Sequence, residues 1–213
     1  MRIDLTSEEL RNLEYFGGVR SGGEFGCSYN LNGEAFKYFE NVDLSLLSMM
    51  ESQLWGMSAV KVDNVALPKD IVYVDDELVG YTRPFFKGCN MASLMRKREN
   101  ISFTEILPYL DAISSTLYEL ANKGIETYDV CLRNCIYNVD ANTYSLIDCD
   151  FYSMPFDLTK EEIYNNSVKN FLYSIDEDYE EFPCISEDLK NQMKEYIISN
   201  NYRVMGEKNG GQK

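Results

Sequence analysis

Between positions 127 and 151 the chain reads TYDVCLRNCIYNVDANTYSLIDCDF. Two short strand-like pieces, 135–137 and 144–147, flank Asp140-Ala141-Asn142. Asp and Asn tolerate turn geometry and bond their own backbone, so the pattern predicts a hairpin. Asn134 stands just before the first strand and Asp148 ends the second, so the hairpin can bring both side chains to one edge. A carboxylate beside an amide oxygen is a hard-oxygen site that suits Mg²⁺. Asp129, one loop away, adds a carboxylate able to accept a proton from an attacking hydroxyl.

What the chain lacks narrows the chemistry further. It contains no histidine, which removes Ser-His-Asp triads and His-ligated metals. Its six cysteines form no Cys-x-x-Cys pair, so buried free thiols are expected rather than a structural zinc site. Lys plus Arg number 20 against 35 Asp plus Glu, a net charge of −15. That balance argues against nucleic acid, which needs clustered cations, and disfavours an anionic membrane surface. It suits a basic partner. No apolar run approaches the ~20 residues of a membrane span, and MRIDLTSEEL lacks a signal peptide's apolar stretch. A cytoplasmic location is expected, with secretion by a signal-less route left open.

Two oddities in the N-terminal half explain each other. After the turn dipeptide Asn32-Gly33, the stretch 34–39 alternates as a strand and puts Ala35, Lys37 and Phe39 on one face. A lysine between two apolar residues calls for an anionic partner. The following helix, expected over 43–58 with Asp43 as cap, carries Leu44, Leu47 and Leu54 on one stripe with Glu51 among them. A carboxylate within an apolar stripe is costly unless it meets a cation. Lys37 is the natural partner for Glu51.

These features resemble the protein-kinase-like superfamily, whose catalytic loop has an Asp with an Asn five positions on and whose metal-binding Asp soon ends a strand. The resemblance covers roughly residues 15–175 and implies an α+β, bilobal protein-kinase-like fold. It predicts an antiparallel-sheet N-lobe over 1–86, a reduced helical C-lobe over 87–205 and a flexible tail at 206–213, as in a minimal, C-terminally truncated bacterial-type Ser/Thr kinase. It makes Asp129 the catalytic base, Asn134 and Asp148 the Mg²⁺ ligands, and Lys37 with Glu51 the pair on the ATP α- and β-phosphates. Ser21-Gly22-Gly23-Glu24-Phe25-Gly26 is similar to the kinase glycine-rich loop, so Gly22, Gly23, Phe25 and Gly26 cover the phosphates. Ala35, Phe85, Phe86 and Ile136 line the adenine site, with Arg83-Pro84-Phe85-Phe86 as the hinge.

The chain also departs from the family pattern. Thr127-Tyr128-Asp129 stands where His-Arg-Asp is usual, Asp148-Cys149-Asp150 where Asp-Phe-Gly is, and Arg83 where an apolar residue normally gates the back pocket. No Ala-Pro-Glu follows. The implied activity is ATP- and Mg²⁺-dependent phosphorylation of a protein Ser or Thr, with a small-molecule hydroxyl (aminoglycoside or sugar type) as the other acceptor. The alternative is a pseudokinase-like module that binds nucleotide or docks a partner without catalysis. Downstream, helices are expected at 91–98, 103–123, 160–174 and 186–199, with an acidic loop at 176–181.

Overall fold

The computed structural model describes residues 1–15, 22–23, 26–40 and 42–209. The fold is mixed α+β, and the chain divides into two compact units, Met1–Phe86 and Lys87–Lys213.

The first unit is built on a six-stranded sheet in the order β1-β5-β6-β4-β3-β2. Its strands are β1 (Arg2–Leu5), β2 (Gly22–Gly23), β3 (Gly26–Leu31), β4 (Glu34–Phe39), β5 (Ile71–Val74) and β6 (Glu77–Arg83). All pair antiparallel except β1, which runs parallel to β5. Two of its hairpins turn where the sequence supplies residues that accept positive φ. Asn32 and Gly33 (φ 54° and 86°) join β3 to β4, and Asp75 and Asp76 (φ 51° and 65°) join β5 to β6. The pleat then sorts the side chains. Leu31, Phe36 and Val72 form a core on one face, to which α1 (Ser7–Arg11) adds Leu10. Ala35, Lys37 and Phe39 point the other way with Tyr81, whose ring meets that of Phe39 at 5.8 Å. That second face receives α2 (Leu44–Ser58), which buries Leu54 and Met57.

Two details of this unit are set by local and long-range pairing. The cap of α1 is Thr6: its hydroxyl accepts from Glu9 N while the Glu9 carboxylate reaches back to Thr6 N. β1 lies in a stretch that reads as polar N-terminus. A four-residue edge strand pairing in parallel leaves little local signal, because its partner lies far along the chain.

The second unit joins a three-stranded sheet, β7 (Cys89–Asn90), β8 (Cys135–Asn138) and β9 (Thr143–Leu146), to four helices. These are α3 (Met91–Met95), α4 (Phe103–Asn122), α5 (Lys160–Glu181) and α6 (Glu187–Asn209). Along α4, Ile106, Leu110, Ile113, Leu117 and Leu120 recur at helical spacing and are all buried. Each contributes about 1.5–3 kcal/mol by leaving water. α4 packs on α5 and α6, with the rings of Tyr109 and Phe171 in edge contact at 6.1 Å. Gly124 (φ 79°) follows the end of α4 with the left-handed backbone that glycine adopts readily.

The acidic segment 176–181 is helix, not loop. It lacks Gly or Pro to stop α5, and Ile175 and Asp178 extend the buried face. Likewise α6 runs to Asn209 and takes in the first part of the tail expected at 206–213. A single Gly206 costs a helix only about 1 kcal/mol. α5 starts at a capping box, in which Thr159 Oγ1 accepts from Glu162 N at 3.2 Å and the Glu162 carboxylate accepts from Thr159 N at 2.8 Å. Thr159→Ala should therefore lower the stability of this unit by about 1 kcal/mol, read as a lower urea midpoint with an unchanged slope. No helix among the described residues is long and apolar enough to cross a membrane.

Candidate functional site

The loop from Glu126 to Asn134 is tied to its surroundings near both of its ends. Glu126 and Ser153 exchange backbone hydrogen bonds at 2.8 and 3.0 Å. Thr127 N donates to Ser167 Oγ at 3.0 Å, and Thr127 O accepts from Asn170 Nδ2 at 2.8 Å, both from α5. Leu132 N donates to the Asp178 carboxylate, at 3.2 Å to Oδ2 and 3.4 Å to Oδ1. The Arg133 guanidinium pairs with Glu181 at 2.6 Å, and the Arg133 carbonyl accepts from Asn90 Nδ2. Glu181 also pairs with Arg96. An irregular loop needs such partners, because its backbone groups have no ladder of their own.

Inside this frame Asp129 and Asn134 meet. Asn134 Nδ2 donates to Asp129 Oδ2 at 2.8 Å and to Asp129 O at 3.0 Å. Asp129 holds a left-handed backbone (φ 52°) and is exposed. Asp adopts that conformation more readily than most residues, and sparsely populated backbone collects at working sites. With its amide nitrogen engaged on Asp129, Asn134 offers a cation its carbonyl oxygen, a hard ligand.

A turn of 3₁₀ helix, Leu132–Asn134, feeds straight into β8. Hairpin β8–β9 pairs Cys135 with Leu146, and Ile147 N donates to Asn134 O at 2.9 Å. Asp148, the next residue, is also left-handed (φ 65°). The two residues expected to hold magnesium thus come from backbone segments that the hairpin ladder binds together. Among the described residues no group of three or more His, Cys, Asp and Glu is placed to hold a metal. One carboxylate and one amide oxygen fit Mg²⁺ as a partial set, since that ion completes its shell with phosphate oxygens and water.

Cys131 and Cys135 are buried, and burial pushes each up to about 12, so both stay protonated at neutral pH. Cys149 and Cys184 are buried free thiols as well, as expected, whereas Cys89 is exposed.

In the first unit, Lys37 is 4% exposed in the middle of β4, beside Ser28 on β3 and Tyr81 on β6. The hydrogen bond described for Glu51 comes from the Tyr73 hydroxyl, which in turn accepts from Trp55 Nε1 at 3.1 Å. Burial and then the Glu51 carboxylate hold the Tyr73 phenol above its ordinary range. Strand alternation puts Tyr73 with Ile71, and hence with Tyr81 and Lys37. Glu51 therefore lies over the face that carries Lys37. Next to Lys37, Arg83 is directly opposite Ala35, donates to Ser28 Oγ at 3.3 Å and has a buried Nε with no hydrogen-bond partner.

The remaining expected positions are spread over both units. Gly22 and Gly23 form β2 and pair with Cys27 and Gly26 of β3, whereas Phe25 lies outside the described residues. Ala35 is buried in β4. Phe85, 58% exposed, and half-buried Phe86 follow β6 at the end of the first unit. Ile136 is half-buried in β8, opposite Asn90 and Ser145.

Sequence reasoning missed the residues of α5 that hold the loop: Ser167, Asn170, Asp178 and Glu181. One of them carried a readable signal. Asp178 falls on the stripe of Phe171 and Ile175, the same anomaly that singles out Glu51. No protein-family model matches the chain, and no curated protein matches it.

Proposed function

We propose that the chain is an ATP- and Mg²⁺-dependent phosphotransferase of the protein-kinase-like, bilobal type, with a Ser or Thr hydroxyl of a protein as acceptor. The observation that carries this reading is the Asp129–Asn134 bond, made in a loop whose backbone α5 anchors and continued directly into the hairpin that ends at Asp148. Lys37, paired to Glu51 in the working state, holds the α- and β-phosphates, with the Gly22–Gly26 backbone over them. Asn134 and Asp148 hold the magnesium, which when bound neutralises charge on the phosphate oxygens. Asp129 accepts the acceptor hydroxyl's proton and orients its oxygen. Little else is asked of the protein, because such transfers run mainly on positioning and charge neutralisation. The net charge of −15 favours a basic acceptor segment.

The test is incubation with γ-labelled ATP and Mg²⁺, alone and with a cell lysate, scoring labelled protein bands against labelled metabolites. Wild type is expected to label protein, and Asp148→Ala to lose at least about a hundredfold of that rate while keeping its circular dichroism. Label confined to metabolites moves the acceptor to a small molecule. No turnover and no autophosphorylation with any divalent ion ends the enzyme reading, and a thermal shift with ATP would then leave a nucleotide-binding module.

A further inference from the structure

We propose that Asp178 is a positioning residue for the reaction: its ionised carboxylate grips the Leu132 N–H and so holds Asp129 and Asn134 in working geometry. The proposal rests on the phosphotransferase reading of the loop. Asp178 is 1% exposed on α5, and both of its oxygens are spent on a single backbone donor between Asp129 and Asn134. Leu132 N begins the 3₁₀ turn that places Asn134. An N–H bonded to a carboxylate is held about twice as strongly as one bonded to a neutral acceptor. The ionisation of Asp178 therefore sets the stiffness of the turn.

Its surroundings make that ionisation sensitive to pH. From its own helix Glu177 and Glu181 repel the charge. From the loop Arg133 attracts it, although the Arg133 guanidinium is itself paired with Glu181 at 2.6 Å. Cys131 of the loop, Cys135 of β8 and Tyr109 of α4 also face it, and burial keeps all three protonated at neutral pH. Burial is the largest influence and raises Asp178 to about 7. The chain has no histidine to titrate beside it in that range.

The experiment follows the Leu132 amide by NMR, and its hydrogen exchange corrected for intrinsic rate, from about pH 5.5 to about 8.5 in wild type and Asp178→Asn. In wild type the amide is expected to titrate near neutrality and to exchange about tenfold more slowly once Asp178 is ionised. In the variant neither change should occur. In parallel, kcat for phosphoryl transfer should rise with pH through the same range in wild type. In Asp178→Asn, at about pH 8, it should be at least about tenfold lower and pH-independent there, with KM for ATP within about twofold. A Leu132 amide indifferent to pH overturns the proposal, and that measurement needs no variant to fold. A variant whose kcat and pH profile match wild type also overturns it. A wild type without turnover defeats the phosphotransferase reading instead, and the amide titration still decides whether Asp178 holds the loop.

Discussion

Replacing Gly80 by alanine is expected to unfold the sheet of the first unit or bring it close to unfolding. A Cβ at position 80 would sit 2.0 Å from the backbone oxygen of Lys37 and 2.8 Å from a ring carbon of Phe36. The backbone oxygen cannot swing aside as a flexible side chain could, so β6 must separate from β4 along Phe36, Lys37 and Tyr38. Phe36 and Tyr81, on opposite faces, are both fully buried and would both lose packing. Gly80 also holds φ 156°, where side chains are rarely found. Overpacking combined with lost ladder bonds costs about 3 kcal/mol or more, against the roughly 5–15 kcal/mol that holds a domain together. Gly33→Ala is the control: its φ of 86° is left-handed, but a Cβ there meets nothing within 4 Å, so the cost should be about 1–2 kcal/mol. Urea unfolding of the two variants decides the matter. An alanine at 80 with a wild-type midpoint, or one at 33 that costs more, removes the close approach as the reason for the glycine.

That contrast marks what local pattern can carry. Asn32-Gly33 is legible because turn chemistry is written in adjacent residues, whereas Gly80 is needed for a strand more than forty positions away. The same divide runs through the fold. The strand at 34–39 and the long α4 follow from alternation and helical spacing, each contained in its own segment. β1 has no such signal, since its partner β5 lies across most of the first unit. Composition ends α5 at 174, because Asp176 to Glu181 is so acidic, yet the buried stripe continues through that stretch on Ile175 and Asp178. Composition describes the solvent face of a helix, and burial follows the other one.

The candidate site divides in a similar way. Asp129 and Asn134 are near in sequence, and the structure joins them by a hydrogen bond. Lys37 and Glu51 point to each other in the sequence because each is a charge in an apolar stripe. The structure puts both on one side of the sheet but gives Glu51 a tyrosine, Tyr73, that no pattern singled out. Tyr73 reads as one more β-forming residue in a buried strand, and only the crossing of α2 over β5 turns its hydroxyl into a donor. The α5 anchors were illegible for the same reason. Ser167 and Asn170 are ordinary polar residues until the loop at Thr127 is laid against them.

The second unit should lose stability as pH rises from 5 to 8, and Asp178→Asn should abolish that loss. The Asp178 carboxyl, ordinarily at 3.8, is raised to about 7 in the folded chain, first by burial and only partly opposed by the Leu132 N–H and Arg133. A carboxyl raised on folding binds its proton more tightly in the native state than in the unfolded one, so the native state gains as pH falls. The gain is complete below the unfolded value near 4 and is gone once pH passes the folded value near 7. At about 1.4 kcal/mol per pH unit, the whole effect is about 4 kcal/mol, of which about 2–3 lies between pH 5 and 8. Glu9, Glu105 and Glu162 are lowered from 4.5, so their opposite contributions lie in acid. Burial raises Cys184, and it lifts Cys131 and Cys135 to about 12, beyond the upper edge. Urea midpoints across the range should therefore fall with pH in wild type and stay level in the asparagine variant, whatever fixed cost the amide adds. Parallel slopes in the two proteins would place Asp178's proton elsewhere and remove the link between neutral pH and the loop at Glu126–Asn134. A fall confined to wild type makes the loop's anchor a group that trades stability for charge at the pH where the cell works.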